Sequence, residues 1–273
     1  MNAFVFFCMW MLMLVLLVGL LYWLIIANSH YSNKLLKPND VYKVENRTYQ
    51  FPNVETIGPT YLLKESYIRH LRELLSRTSH LMKTLNIDWW VTGGTLIGVV
   101  QFKAIPMPFD DDVDIGVDDD YRKYLFSDMF VQKANDAGLK VLYVQAASSV
   151  WAERTGACVR LQLPTSPETL DIFFWKKTSD GKKVMKLDGW ARDGTVVYNQ
   201  KEQFAFTDVY PLQKNVQIDD MVINLVQNPL NVLIQQYGHK VLDRVIARSL
   251  YVSHLFPMLA LKNNLFVENI APG

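Results

Sequence analysis

Two hydrophobic rhythms divide the chain. From Ala3 to Ala27 no residue is charged, whereas beyond Asn28 apolar positions either recur at helical spacing or alternate as in strands. At a rise of about 1.5 Å per residue, the first run exceeds the roughly 20 residues that cross a bilayer. Trp10, Tyr22 and Trp23 stand nearer its ends, where interfacial aromatics are common. A cleaved secretory signal has a basic start and a shorter apolar stretch, and neither is present, so residues 1–27 are expected to be a transmembrane signal anchor. Residues 28–59, with Pro38, Asn39, Pro52, Asn53 and Pro59, show little periodicity and are expected to form a stem. The catalytic domain is expected over residues 60–273.

Within that domain, Leu63, Tyr67, Leu71, Leu74, Thr78, Leu81 and Leu85 recur at helical spacing, with Glu65, Arg69, Arg72 and Lys83 available for the solvated side. A short strand, Asp88 to Val91, leads into Thr92-Gly93-Gly94-Thr95, and the apolar pattern resumes from Leu96 to Val100 as a short helix. Asp112 to Val117 alternates as a second strand. Asp118 to Asp120 can cap a helix from Tyr121 to Ala137, closed by Gly138. Further strands are expected at Lys140 to Val144, Cys158 to Leu163 and Leu170 to Trp175. Lys183 to Leu187 and Thr195 to Tyr198 suit a hairpin with Asp193-Gly194 as turn residues, and Asn228-Pro229 opens a helix that Gly238 ends. Helices and strands interleave, which predicts an α+β fold, an α/β-type sheet flanked by helices.

Composition narrows the function classes. The 28 basic and 27 acidic residues leave a net charge of +1, too little to attract nucleic acid. Of the two cysteines, Cys8 lies in the apolar run and Cys158 far from it, so neither a disulfide scaffold nor a cysteine zinc site is expected.

Chemistry concentrates at Pro108-Phe109-Asp110-Asp111-Asp112-Val113-Asp114-Ile115-Gly116. Residues two apart on a strand share a face, so Asp112 and Asp114 can converge on one cation while Val113 and Ile115 enter the core. Asp110 falls on the polar side as well. An all-oxygen ligand set suits Mg²⁺ or Mn²⁺ bridged to substrate phosphates. A calcium loop starting at Asp110 needs glycine and glutamate where Ile115 and Tyr121 stand, and a solvated acidic loop has no need of Val113 and Ile115. Gly93, Gly94 and Thr95 lie between a strand and a helix, where backbone N–H groups can approach a phosphate. Asp171, inside the apolar run Leu170 to Trp175, is costly to bury unless paired or metal-bound; it is a candidate third carboxylate, as metal ligand or base. Topology stays open on these grounds: Lys34, Lys37 and Lys43 favour a cytosolic domain, whereas the sequon Asn46-Arg47-Thr48 favours a lumenal one.

Gly93 to Gly98, Ile105-Pro106 and the aspartate run from Pro108 to Gly116 together resemble the LicD/fukutin family, with weaker echoes at Asp171-Ile172-Phe173, Val209 to Leu212 and Leu233 to Gly238. The resemblance covers roughly residues 61 to 240 and implies a nucleotidyltransferase fold. It implies a transferase that moves phosphocholine or ribitol phosphate from a CDP-linked donor onto a glycan or glycoprotein hydroxyl. Gly94 and Thr95 would meet the donor phosphates, and Asp112 and Asp114 would hold metal. Where the family carries an arginine after the Gly-Thr element this chain has Gln101-Phe102, which makes Lys103 or Arg160 the substitute cation. The fukutin-like branch further implies a single-pass type II protein of the Golgi or ER–Golgi membrane, glycosylated at Asn46 and working beside partner transferases. Two alternatives stand beside it: a nucleotide-sugar glycosyltransferase gripping its donor through Asp-Val-Asp, and a non-catalytic Golgi scaffold.

Overall fold

The computed structural model describes residues 10–19, 31–37, 41–44, 47–50, 54–57, 61–144, 158–190, 196–243 and 245–248. At its centre is a mixed sheet of seven strands: β1 (Trp89–Val91), β2 (Asp112–Asp118), β3 (Lys140–Val144), β4 (Cys158–Gln162), β5 (Thr169–Lys177), β6 (Lys183–Trp190) and β7 (Val196–Ala205). The main path runs β7-β6-β5-β2-β1, and β4 pairs with both β5 and β3. β2 and β5 run parallel, with Thr169 opposite Asp112 and Asp171 opposite Asp114, while their other neighbours are antiparallel. The fold is therefore α+β.

The parallel pair has two unlike faces because side chains alternate along each strand. Val113, Ile115, Leu170 and Ile172 are fully buried on one face. Helix α1 (Glu65–Thr84) packs against these two strands and buries Tyr67, Ile68, Leu71, Leu74, Leu75, Leu81 and Met82. Each such side chain removed from water contributes about 1.5–3 kcal/mol before entropy is set against it. Asp112, Asp114 and Asp171 occupy the opposite face.

The helical spacing places α1 well but mistakes one of its residues. Arg72 is buried rather than solvated: its guanidinium donates to the Ile105 carbonyl oxygen (2.6 Å) and pairs with Asp219 and Asp220. Those two aspartates turn a hairpin, Gln213–Ile218 with Met221–Leu225, that the alternation of polar and apolar residues did not disclose. The helix expected from Tyr121 to Ala137 is broken. A 3₁₀ turn (Asp119–Tyr121) and a single helical turn (Arg122–Leu125) precede helix α2 (Asp128–Asp136), because the Ser127 hydroxyl accepts from Phe130 N and starts a new helix there.

The stretch expected to be an irregular stem contributes to the fold. Tyr31–Leu35 pairs with Tyr61–Leu63, Val41–Val44 with Arg47–Gln50, and Val54–Ile57 with Val245–Arg248. Leu36, Tyr42, Val44 and Tyr49 join the hydrophobic core. The expected hairpin forms between longer strands, β6 and β7, and its Asp193-Gly194 lies outside the described residues. Among the described residues no helix is long and apolar enough to cross a membrane. Residues 10–19 are helical with exposed side chains; the remainder of 1–27, and Asn46, lie outside the described residues.

Candidate active site

The aspartate segment is held at two points before it enters the sheet. Leu63 N donates to the Pro108 carbonyl oxygen (2.7 Å), and the Tyr67 hydroxyl donates to that of Asp111 (2.9 Å). β2 then begins at Asp112, so strand alternation turns Asp112 and Asp114 away from α1. The glycine turn is fastened to the same strand. Asp114 N donates to Thr95 Oγ1 (2.8 Å), and Thr92 N donates to the Asp114 carbonyl oxygen (3.1 Å).

Gly93 and Gly94 are required by the carboxylates they touch. Gly93 sits at φ +56°, and a Cβ there would collide with Asp114 Oδ2. A Cβ at Gly94 would stand 2.5 Å from Asp110 Oδ2. The Gly94 N–H donates to the Asp114 carboxylate, so this turn serves the aspartates directly. Thr95 is buried with its oxygen occupied by Asp114 N, a different place from the phosphate contact expected of it.

Oxygens of Asp112, Asp114 and Asp171 come within 4.8 Å of one another, as do those of Asp110, Asp111 and Asp112. Asp171 is buried, and Arg160 on the neighbouring β4 grips it with two bonds, Nε to Oδ1 (2.6 Å) and Nη2 to Oδ2 (2.7 Å). Arg160 thus holds a carboxylate instead of standing free for a phosphate. Lys103 is exposed at the end of the turn after Ile97 and does not line the site. Gln101 also points elsewhere, donating to the Val241 carbonyl oxygen (2.6 Å).

The carboxylates gather round a cavity of about 220 Å³. Thr92, Gly93, Asp112, Asp114, Arg160 and Asp171 form one part of its wall, and Phe173, Lys186, Glu202, Gln236 and Tyr237 form the other. This second group was not expected from the sequence. Lys186 lies where β6 departs from regular pairing with β7, so simple alternation could not assign its direction. Gln236 and Tyr237 close helix α3 (Pro229–Tyr237); the family echo at Leu233 to Gly238 was the one signal pointing there.

The electrostatics follow from crowding. Burial pushes the Asp114 carboxyl up to about 7; the Asp171 charge adds to the rise, while Lys186 and the Gly94 N–H oppose it. Asp112 is held well above the usual carboxylate range by burial first and then by Asp114, Asp110, Asp111 and Asp171. Asp110 is raised likewise, by burial and then by Asp114 and Asp111. Burial also lifts the Tyr237 phenol. A site that raises the proton affinity of several acids at once favours a proton or a cation among them. An oxygen donor set within 4.8 Å, beside a glycine that leaves the approach to Asp114 clear, fits a hard divalent ion such as Mg²⁺ or Mn²⁺.

Residues 86–222 match the family described as LicD/FKTN/FKRP, nucleotidyltransferase domain. Uncharacterized protein RT0683 of Rickettsia typhi is 26% identical over 205 residues, covering 74% of this chain and 55% of that protein. Uncharacterized protein RP689 of Rickettsia prowazekii is 30% identical over 106 residues, covering 39% of this chain and 33% of that protein. The chain therefore spans about half the length of the first relative and a third of the second. Among solved structures, ANT(2")-Ia in complex with adenylyl-2"-tobramycin aligns at 12% identity and a TM-score of 0.36, covering 72% of this chain and 84% of that one. Elizabethkingia meningoseptica CdnE cyclic dinucleotide synthase with GTP and Apcpp aligns at 13% identity and a TM-score of 0.26, covering 54% and 51%.

Proposed function

The chain belongs to the LicD family, and from that premise we propose that it transfers a phospho-alcohol, of the ribitol phosphate or phosphocholine type, from a CDP-linked donor to a glycan hydroxyl in protein glycosylation. The observation that carries this reading is the meeting of Asp112, Asp114 and Asp171 in one cavity beside the Gly93 turn. Asp112 and Asp114, with Asp110 or Asp171 beside them, would hold Mg²⁺ or Mn²⁺, which when bound neutralises negative charge on the donor phosphates.

The remaining work falls to the chain itself. Gly93, with no side chain, leaves room for the Asp114 carboxylate that would hold the metal. Arg160 keeps Asp171 in one orientation through its two-pronged grip, which conserves the geometry of the cluster. The acceptor oxygen attacks the phosphorus that bears the alcohol. A new P–O bond forms, the bond from that phosphorus to the bridging oxygen breaks, and CMP departs with the electron pair. The hydroxyl proton passes to a carboxylate of the cluster, Asp171 or Asp110.

Two features bear against the alternatives. Family membership supports a CDP-alcohol donor over a nucleotide sugar. The scaffold reading rests on Gln101-Phe102 in place of an arginine, yet Gln101 does not line the cavity. The test is to offer CDP-alcohols and UDP- or GDP-sugars to the purified full chain with Mn²⁺. A CDP-alcohol is expected to be consumed, and Asp112→Asn to slow transfer by roughly 10²–10³-fold, the scale of losing a main electrostatic group of an active site. Turnover that survives Asp112→Asn with its metal dependence intact sinks the mechanism.

We further propose, from the fukutin-like resemblance, a Golgi or ER–Golgi single-pass type II arrangement with partner transferases in the same membrane; the uncharged run Ala3 to Ala27 supports the span, and the sequon at Asn46 supports a lumenal catalytic domain. Loss of a glycan-dependent gel shift in Asn46→Gln is the expected result; an unshifted wild-type protein counts against a lumenal domain.

A further inference from the structure

Among the described residues the cavity has two cations in its wall, Arg160 and Lys186, and they are committed to different degrees. Arg160 gives Nε and Nη2 to Asp171. Lys186, on β6, places Nζ 3.0 Å from Glu202 Oε2 and 4.0 Å over the ring centre of Phe173. An ammonium has three N–H donors, and one carboxylate oxygen uses one of them. Its side chain retains 12% of its exposure. Glu202 in turn accepts from Gln236 Nε2 at Oε1 (2.8 Å), so the partner of Lys186 is anchored to helix α3.

A cross-strand ion pair is the plain explanation for Lys186 and Glu202, which sit on paired strands β6 and β7. It does not account for the placement of Lys186, Glu202 and Gln236 together in the wall of the cavity that holds the carboxylates. Nor does a structural pair require Lys186 to face Phe173, a residue of β5 two positions beyond Asp171 on the same face.

We infer that Lys186 is the residue that meets a non-bridging phosphate oxygen of the donor, and that Glu202, tethered by Gln236, is a positioning residue that keeps the ammonium at the cavity wall. This rests on the phosphotransfer reading above. It assigns the phosphate-binding role expected of Lys103 or Arg160 to a lysine on a different strand. The long, flexible stem of lysine suits the task, because the ammonium can leave Glu202 for the phosphate without moving β6.

Pyrophosphate binding to the full chain in the presence of Mn²⁺, measured by calorimetry, tests this. Lys186→Met is expected to weaken pyrophosphate by about tenfold, the loss of one charge-assisted contact, while Mn²⁺ affinity in the absence of pyrophosphate stays within about twofold or rises, as removal of a nearby positive charge dictates. Lys186→Arg is expected to recover most of the binding. Glu202→Gln separates the roles: freed of its carboxylate, Lys186 is expected to bind pyrophosphate as well as wild type or better, with a raised KM or lowered kcat in transfer from misplacement. If Glu202→Gln copies Lys186→Met in both melting temperature and pyrophosphate binding, the pair is structural and the inference falls. Equal binding by wild type and Lys186→Met overturns the lysine role alone; absence of binding by wild type overturns the phosphotransfer reading with it.

Discussion

Among the described residues, Arg47 and Arg72 meet Asp219 and Asp220 two against two, whereas Asp112, Asp114, Asp171 and Glu202 line a cavity with Arg160 and Lys186 to answer four carboxylates. The first cluster ties α1 and the Arg47–Gln50 strand to the hairpin turn at Asp219, and its aspartate side chains keep 38% and 60% of their exposure. Water and two guanidiniums share the solvation of those carboxylates, and the arrangement is satisfied as it stands. In and beside the cavity, by contrast, the carboxylates compete: burial and mutual repulsion lift Asp110, Asp112 and Asp114 together. Charge matched within the chain serves the fold, and charge left unmatched within it calls for something from outside.

Removing Arg72 probes that difference hardest. Arg72→Ala leaves the Ile105 carbonyl oxygen without the donor now 2.6 Å away and leaves Asp219 and Asp220 facing each other with Arg47. A loss of about 2–3 kcal/mol in urea unfolding is expected, most of it from the buried orphaned oxygen, since the aspartates are too exposed for the ion pairs to count heavily. The folded variant is expected to keep wild-type Mn²⁺ affinity. A variant that stays stable but loses the metal would show that the two clusters are not separate in kind.

How far these clusters could be read from the sequence differs for a physical reason. Asp112 and Asp114 are neighbours on one strand, so the period of two places them on one face, and the alternating Val113 and Ile115 mark the face opposite. Asp171 stands out as an acid inside an apolar run. Each of those signals is local. Arg72 pairing with Asp220, Lys186 with Glu202, and Arg160 with Asp171 all depend on which elements lie side by side, and one sequence does not state that. Arg72 even obeys the local pattern for a solvated position on α1. The strands of residues 31–57 escaped notice because they are short, separated by prolines and asparagines, and buried through only a few side chains such as Tyr42, Val44 and Tyr49. The break at Ser127 was hidden because its cap lies within a stretch whose apolar spacing suits a longer helix.

The smaller and sharper contrast is the effect of one substitution, Asp to Asn, in each cluster. The Asp114 carboxyl titrates near 4 in an unfolded chain and at about 7 in the folded one. Between those values the native state holds a proton that the unfolded chain has released, so its contribution to stability is fully present below about pH 4 and is lost as pH rises towards 7. The chelator-treated protein is therefore expected to melt at progressively lower temperature across that window. Asp114→Asn is expected to flatten the slope and, at pH 8 without metal, to exceed wild type by on the order of 1 kcal/mol. Mn²⁺ is expected to raise the melting temperature of wild type far more than that of the variant, since only wild type keeps the full ligand set. Asp220→Asn works in the opposite direction, costing less than about 1 kcal/mol, because it removes the exposed partner of a buried arginine. If the melting temperature of Asp114→Asn tracked that of wild type across the same pH range, Asp114 would be as well matched within the chain as Asp220, and the cavity would lose its claim to need a cation.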